Sequence, residues 1–238
     1  MKSKIVLTLL FSFIMINAVV SQEKEKTVSP QRESYAEEFD KNKIYYKETG
    51  QKIPYSEFFK IAENNPQIFL ERETDDEGNI IRQLYDPNDQ SGDGAKKILD
   101  SYISGDVPFP NFSVTTIDGE KIELKDLNGK FVIILLESQG KALKFNKRII
   151  DELDEKINAL NSKENIEAIV IYRASEDEIR EDVELTNSNF KLVADGYKIA
   201  LKYYIFQTPT VLLIDQNGKL IGTYRNSYKI KLEDHLSK

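Results

Sequence analysis

The chain has 238 residues, 40% apolar and 31% charged, with a formal net charge of −7. That length supports one sizeable core, or one core plus a small appended unit, and the acidic balance argues against nucleic acid or an anionic membrane surface as the main partner. There is no cysteine and one histidine, His235, which excludes disulfides, thiol nucleophiles, cysteine-based metal sites and a lipidated cysteine, and leaves His235 as a solvated helix-end residue with no cofactor expected.

The chain opens on an address. Lys2 and Lys4 precede Ile5–Val20, an apolar run broken only by Thr8, Ser12 and Asn17. Val19 and Ser21 are small enough for the −3 and −1 sites of a signal peptidase, so residues 1–21 read as a signal peptide cut before Gln22. The run falls short of the ~20 residues that span a bilayer comfortably. An exported chain, periplasmic or secreted and with no membrane span after the cut, is the expectation. Residues 22–42 are polar and poor in large apolar side chains, a flexible leader.

Residues 43–85 read as a small α+β unit. Ile44-Tyr45-Tyr46 suggests a strand, and Tyr55, Phe58, Phe59, Ile61 and Ala62 recur at helical spacing until Asn64-Asn65-Pro66. Ile68–Leu70 and Ile80–Tyr85 flank an acidic turn, Asp75-Asp76-Glu77-Gly78-Asn79, as in a hairpin. The aromatic residues Tyr45, Tyr46, Phe58 and Phe59 are expected in this unit's own core rather than on a docking patch. Residues 86–106 read as a linker rich in Asp, Asn and Gly, with a short helix over Ala95–Ile103. Within it Asp89, Ser91, Asp93, Gly94 and Asp100 fall at positions 1, 3, 5, 6 and 12 of a calcium-loop template. Lys96 at position 8, the short Asp100 at position 12 and the missing entry helix weigh against calcium, and no metal is expected.

From Val107 the pattern changes. Val107–Phe112 is a proline-pinned extended entry, and residues 115–124 read as strand, Asp-Gly turn and strand. Phe131–Leu136 is an unbroken apolar run, the mark of a strand buried on both faces. Glu137-Ser138-Gln139-Gly140 ends it, and a helix with Leu143, Ile150, Leu153, Ile157 and Leu160 on one face follows from Lys141. A buried strand feeding a helix is a common seat of chemistry in α/β proteins. Ile166–Tyr172 is a second buried strand. Ser175 and Glu178 form a capping box for a helix to about Leu185. Phe190–Val193 is a short strand and Tyr197–Tyr204 a short helix. Thr208-Pro209-Thr210 then leads into Val211–Asp215, and Asn217-Gly218 turns into Lys219–Tyr224. A proline entering a buried strand removes a ladder donor and marks a candidate cis peptide bond. Ile230–Leu236 closes the chain as a helix. This order predicts an α/β domain over 107–238 with a mixed sheet and helices on both faces.

The motifs of this half resemble the thioredoxin fold, in the exported branch of TlpA- and ResA-like proteins and the peroxiredoxin-related AhpC/TSA family. The matching pieces are Pro108-x-Pro110-x-Phe112, Asp118-Gly119-x-x-Ile122-x-Leu124-x-Asp126-Leu127-x-Gly129-Lys130, the strand 131–136, and Ala200-x-x-Tyr203-x-Ile205-x-x-Thr208-Pro209-Thr210 running into Leu213-Ile214-Asp215-x-x-Gly218. The resemblance implies a W-C-x-x-C pair at the start of the helix, where free N–H groups and the dipole would stabilise a thiolate. Its positions fall near Lys141 and Lys144. Pro209 would be the cis-proline beside that pair. Without a thiol there is neither dithiol–disulfide exchange nor a peroxidatic sulfenate, so the resemblance implies the fold and not the family's reaction.

Three functional expectations follow. The first is a redox-inactive binding or scaffolding module of the cell envelope, partnered by another envelope protein or peptide through Gln139, Gly140, Lys141, Lys144, Thr208 and Pro209. The second is capture of an anion or acidic loop by Lys141 and Lys144 at the helix start. The third, an enzyme using Glu137, Ser138 or Gln139, lacks a histidine base for Ser138 and a full glycine-rich phosphate loop.

Overall fold

The computed structural model describes residues 39–236 except 66, 90, 138–142, 162 and 186. The signal peptide and nearly all of the leader fall outside the described residues. The elements run β1 (Ile44–Tyr46), α1 (Tyr55–Asn64), β2 (Leu70–Thr74), β3 (Ile80–Tyr85), α2 (Gly94–Ser104), β4 (Ser113–Thr115), β5 (Lys121–Glu123), β6 (Phe131–Glu137), α3 (Leu143–Asn158), β7 (Ile166–Tyr172), α4 (Glu176–Asp182), β8 (Phe190–Val193), α5 (Tyr197–Lys202), β9 (Thr210–Ile214), β10 (Leu220–Tyr224) and α6 (Glu233–Leu236).

A five-stranded sheet in the order β10-β9-β6-β7-β8 carries the second half of the chain. Strands β6, β7 and β8 are parallel, β9 runs antiparallel to β6, and β10 antiparallel to β9. This is the mixed, thioredoxin-like sheet that the sequence predicts. The unbroken apolar run of β6 has its cause in the two cores that the strand serves. Val132, Ile134 and Leu136 face a core shared with Phe109, Phe112, Ile199 and Tyr203. Ile133 and Leu135 face the other, with Ile150, Leu153 and Ile157 of α3. Side chains alternate across a strand, so a central strand covered on both faces needs apolar residues at every position. The β4–β5 hairpin pairs Val114 with Ile122 and joins the far edge, where the Ile117 N–H donates to the Leu192 carbonyl at 2.9 Å. The capping box at Ser175 forms, with both the Ser175 and Glu178 N–H groups satisfied. Helix α4 stops at Asp182, short of the expected Leu185, because Val183 is already extended.

The N-terminal residues form a three-stranded sheet, β1-β3-β2, with β1 parallel and β2 antiparallel to β3. Its core is Ile44, Ile53, Phe58 and Tyr85. Phe59, expected inside, is 50% exposed, and Tyr55 stands out beside it at a ring distance of 6.3 Å. Ten residues of helix over a three-stranded sheet bury one narrow stripe, and Phe59 falls off it.

The short helix expected over Ala95–Ile103 within the linker forms as α2, one residue longer at each end, but it is not a spacer. Tyr102 is buried in the main core, and Ile98, Leu99 and Ile103 pack against it. Asp40–Lys238 is accordingly one compact unit rather than two joined by a tether. The β2–β3 turn is seated on α5. The Lys202 ammonium, in a side chain only 5% exposed, donates to the Asp75 carbonyl at 2.6 Å, and the Lys198 ammonium to Asn79 Oδ1 at 2.7 Å. The Ser113 N–H donates to the Asp76 carbonyl at 2.9 Å, and Asn111 Nδ2 to Asp76 Oδ2 at 2.6 Å. Burial holds the Lys202 ammonium below the ordinary lysine range, and the charges of Asp76, Asp75 and Glu77 oppose that shift. The acidic turn thus partly offsets the charge of a buried lysine and accepts its hydrogen bond through a backbone carbonyl.

Candidate functional site

The site is built where the C-terminal end of β6 meets the start of β9. Leu136 pairs with Thr210, which sets the Thr208–Pro209 peptide beside the end of the buried strand. That peptide bond is cis, as the proline's position before a central strand predicts. The loop before it is held from several sides. The Thr210 hydroxyl donates to the Gln207 carbonyl at 2.6 Å, and Arg173 Nη2 to the Ile205 carbonyl at 2.7 Å. Arg225 donates to Gln207 Oε1. The Tyr203 hydroxyl donates to the Pro110 carbonyl at 3.0 Å, with its ring stacked on Phe109 at 4.5 Å.

Tyr204 is the most constrained residue of this loop. Its φ is +57°, a backbone region that costs a bulky residue about 1–3 kcal/mol. Contacts from β2 and its approach hold it there. The Arg72 N–H donates to the Tyr204 hydroxyl at 2.7 Å, and the Phe69 ring lies 5.5 Å away. Burial raises the phenol's pKa well above the usual tyrosine value, against a smaller opposing effect of Arg72. The N-terminal sheet therefore fixes the loop that presents Thr208 and Pro209, a role the sequence does not signal.

Glu137 belongs to the strand rather than to the polar loop expected after it. It is the last residue of β6, 1% exposed, and pairs with Tyr172 of β7. By alternation both side chains fall on the α3 side, with Ile133, Leu135, Ala168 and Val170. The Glu137 carbonyl accepts from the Arg173 N–H at 3.1 Å, and the Arg173 guanidinium lies 5.3 Å from the centroid of the Tyr197 ring. Tyr172 is fully buried, and its hydroxyl has no hydrogen-bond partner among the described residues. Burial, and secondarily the Glu137 charge, pushes its pKa far up. A carboxylate after six apolar residues reads as a strand terminator, and no sequence signal marks it as buried.

Of the site residues read from sequence, the structure brings Thr208 and Pro209 to the strand end. Gln139, Gly140 and Lys141 lie outside the described residues, as does Ser138. Lys144 is the second residue of α3. The calcium-loop pattern is engaged otherwise. The Lys97 ammonium lies 3.1 Å from Asp89 and 3.0 Å from Asp93, and Asp100, on α2, pairs with Lys96. These ion pairs occupy the carboxylates that the template would turn on a cation. Among the described residues no group of three or more His, Asp or Glu side chains is placed to hold a metal.

With no cysteine, the chain has no group that forms or exchanges a disulfide. The frame around that position is nonetheless a recognised one. The AhpC/TSA family model matches residues 106–222. The thiol-disulfide oxidoreductase ResA of Bacillus thuringiensis subsp. konkukian is 33% identical over 134 residues, which cover 54% of this chain and 75% of that protein. The ResA of Bacillus anthracis is 34% identical over the same length and shares. Among solved structures, the thioredoxin domain of a thiol-disulfide oxidoreductase from Bacteroides vulgatus is 20% identical, with a TM-score of 0.40 over 52% of this chain and 91% of that one. The chain thus belongs to the AhpC/TSA thioredoxin-like family, related to the ResA thiol-disulfide oxidoreductases, and keeps their frame without a cysteine.

Proposed function

We propose that this chain is an exported, redox-inactive thioredoxin-like module that binds another envelope protein or peptide through the face around the cis-proline loop. The observation that carries the proposal is the pairing of a retained ResA-type frame with the absence of any thiol. Lysine at the expected dithiol positions supplies neither the nucleophile nor the leaving group that exchange requires. The rigid loop supports a binding role, because a pre-organised surface spends little ordering entropy on association. The basic start and apolar run of residues 1–21 support export.

The deciding experiment is insulin reduction by dithiothreitol with and without the purified chain. The expected rate equals the uncatalysed rate, and clear turnover refutes the module reading. Mass spectrometry of the protein recovered from an expressing bacterial host tests the address. A first residue of Gln22 is expected, whereas a retained Met1 on intracellular protein contradicts export.

A further inference from the structure

Beside the cis-proline loop lies a groove of about 330 Å³ between three elements. One wall is the first turn of α2, with Ala95 and Lys96. The other is the end of β10, Thr223 to Arg225. The floor is Leu99, Tyr204 and Ile205. Phe206 stands at the rim, 52% exposed. The α2 wall precedes the segment that the family model matches, so this groove is partly built by the chain's own N-terminal extension.

Three features of the groove agree on one kind of occupant. The first is charge. Its charged lining residues are Lys96, already paired with Asp100 of α2, and Arg225, with no Asp or Glu in the lining itself, in a chain whose net charge is −7. Arg225 donates to the neutral Gln207 side chain and makes no ion pair among the described residues. Its guanidinium thus keeps donors for a planar carboxylate. The second is the sheet edge. Among the described residues strand β10 pairs only with β9, so Thr223 lies on an edge strand, the kind of place where an extended segment can add. The third is the exposed Phe206 ring over an apolar floor of buried Tyr204 and Ile205 and half-buried Leu99, a place for one apolar side chain.

We propose that this groove docks an extended partner segment that adds along the β10 edge, sets a carboxylate on Arg225 and lays an apolar side chain against Phe206. The proposal rests on the binding-module reading and names the chemistry of the segment bound. It does not require the dithiol positions.

The test uses the full mature chain and a fluorescein-labelled octapeptide of alternating Glu and Val with one central Phe, followed by anisotropy. Binding with a Kd of about 10–100 μM is expected. The same peptide with Gln for Glu should bind at least about ten-fold more weakly, and Arg225→Gln and Phe206→Ser should each weaken the acidic peptide by about ten-fold. Both residues are exposed, so the variants are expected to fold, and circular dichroism verifies it. Lys52→Gln, on the N-terminal sheet, is the control and should change nothing. Absence of binding up to about 1 mM, equal affinity for the Gln peptide, or insensitivity to both variants overturns the groove. Any of these results leaves the insulin assay, and hence the module reading, untouched. Catalytic turnover in that assay removes the module reading whatever the peptide does.

Discussion

Replacing Gly78 with alanine tests whether the N-terminal sheet is part of the domain or an appendage. Gly78 sits in the β2–β3 turn at φ +86°, and a Cβ built on it lies 2.7 Å from the Lys198 carbonyl oxygen and 2.8 Å from its carbon. Two costs add. The left-handed backbone costs an alanine about 1–2 kcal/mol. The collision is with backbone of α5, which cannot swing aside as a side-chain end can, so the turn must lift. Lifting it strains the Lys202–Asp75 and Lys198–Asn79 hydrogen bonds, and overpacking of this kind costs about 1–3 kcal/mol. The total is about 2–5 kcal/mol. Gly50 supplies the control, since it has φ +67° and nothing within 4 Å of its Cβ position. Gly50→Ala should cost the backbone part alone, about 1–2 kcal/mol. In urea denaturation Gly78→Ala should therefore lose about 1–3 kcal/mol more than Gly50→Ala. Equal losses would refute the seating of the turn on α5, and with it the claim that residues 43–85 brace the cis-proline loop.

Other outcomes follow from the same contacts. Tyr204→Phe removes the acceptor of the Arg72 N–H and should cost about 1–3 kcal/mol, because a part-buried donor is left unmet; a neutral result in denaturant would show that the contact contributes nothing. Tyr172→Phe should be neutral or stabilising by up to about 1 kcal/mol, since the lost hydroxyl is buried without a partner among the described residues; a clear loss would reveal a bond to that oxygen. Alkaline pH should destabilise the fold above about pH 10. Tyr102, Tyr172, Tyr203 and Tyr204 all have raised pKa values, chiefly through burial, and that of Tyr102 reaches about 12. The unfolded chain then loses its phenolic protons first, so this stability is intact below pH 10.0 and is lost as pH rises through each folded value. For Tyr102 alone the ceiling is about 2–3 kcal/mol. Lys202 acts in the opposite sense. Its lowered pKa means that the unfolded chain holds the extra proton, so its contribution rises with pH up to about 10.5. Urea midpoints measured from pH 8 to 11 should therefore fall past pH 10, and a folded protein in which all 12 tyrosines titrate near pH 10 would contradict the burial argument.

The parts of the fold legible in the sequence are those written by periodicity and turn chemistry. Strand β6 announces itself because burial on both faces demands an apolar residue at each position. The cis bond before Pro209 is legible because a proline entering a buried strand has few other options. Helix α2 was legible as a helix but not in what it packs against. Its stripe of Ala95, Ile98, Leu99, Tyr102 and Ile103 has helical spacing and shows that one face is covered, but periodicity does not say by what, and the partner is a core built mainly from residues beyond 107. Lys202 and the Asp75–Glu77 turn each look like solvated charge, and only their meeting across more than a hundred residues shows that the lysine is buried beneath the turn. Glu137 fails for the same reason, since a polar residue ending an apolar run gives no sign of being covered.

The cis-proline loop is braced partly from within the segment that the family model matches, by Arg173, Tyr203 and Thr210, and partly from outside it. The matched segment, 106–222, contains the loop, while Phe69, Arg72, Asp75 and Asn79 lie outside it. Disulfide exchange needs the loop together with two sulfur atoms, and bracing alone cannot supply them. Binding needs only that the loop and its neighbours stay in one geometry while a partner arrives. An arrangement that gives Tyr204 a left-handed backbone, fixes it from a second sheet and buries a lysine to hold the intervening turn carries a conformational cost that disulfide exchange does not recover in a chain without thiols. Such a cost agrees with the binding reading proposed above, in which the surface itself is the working part.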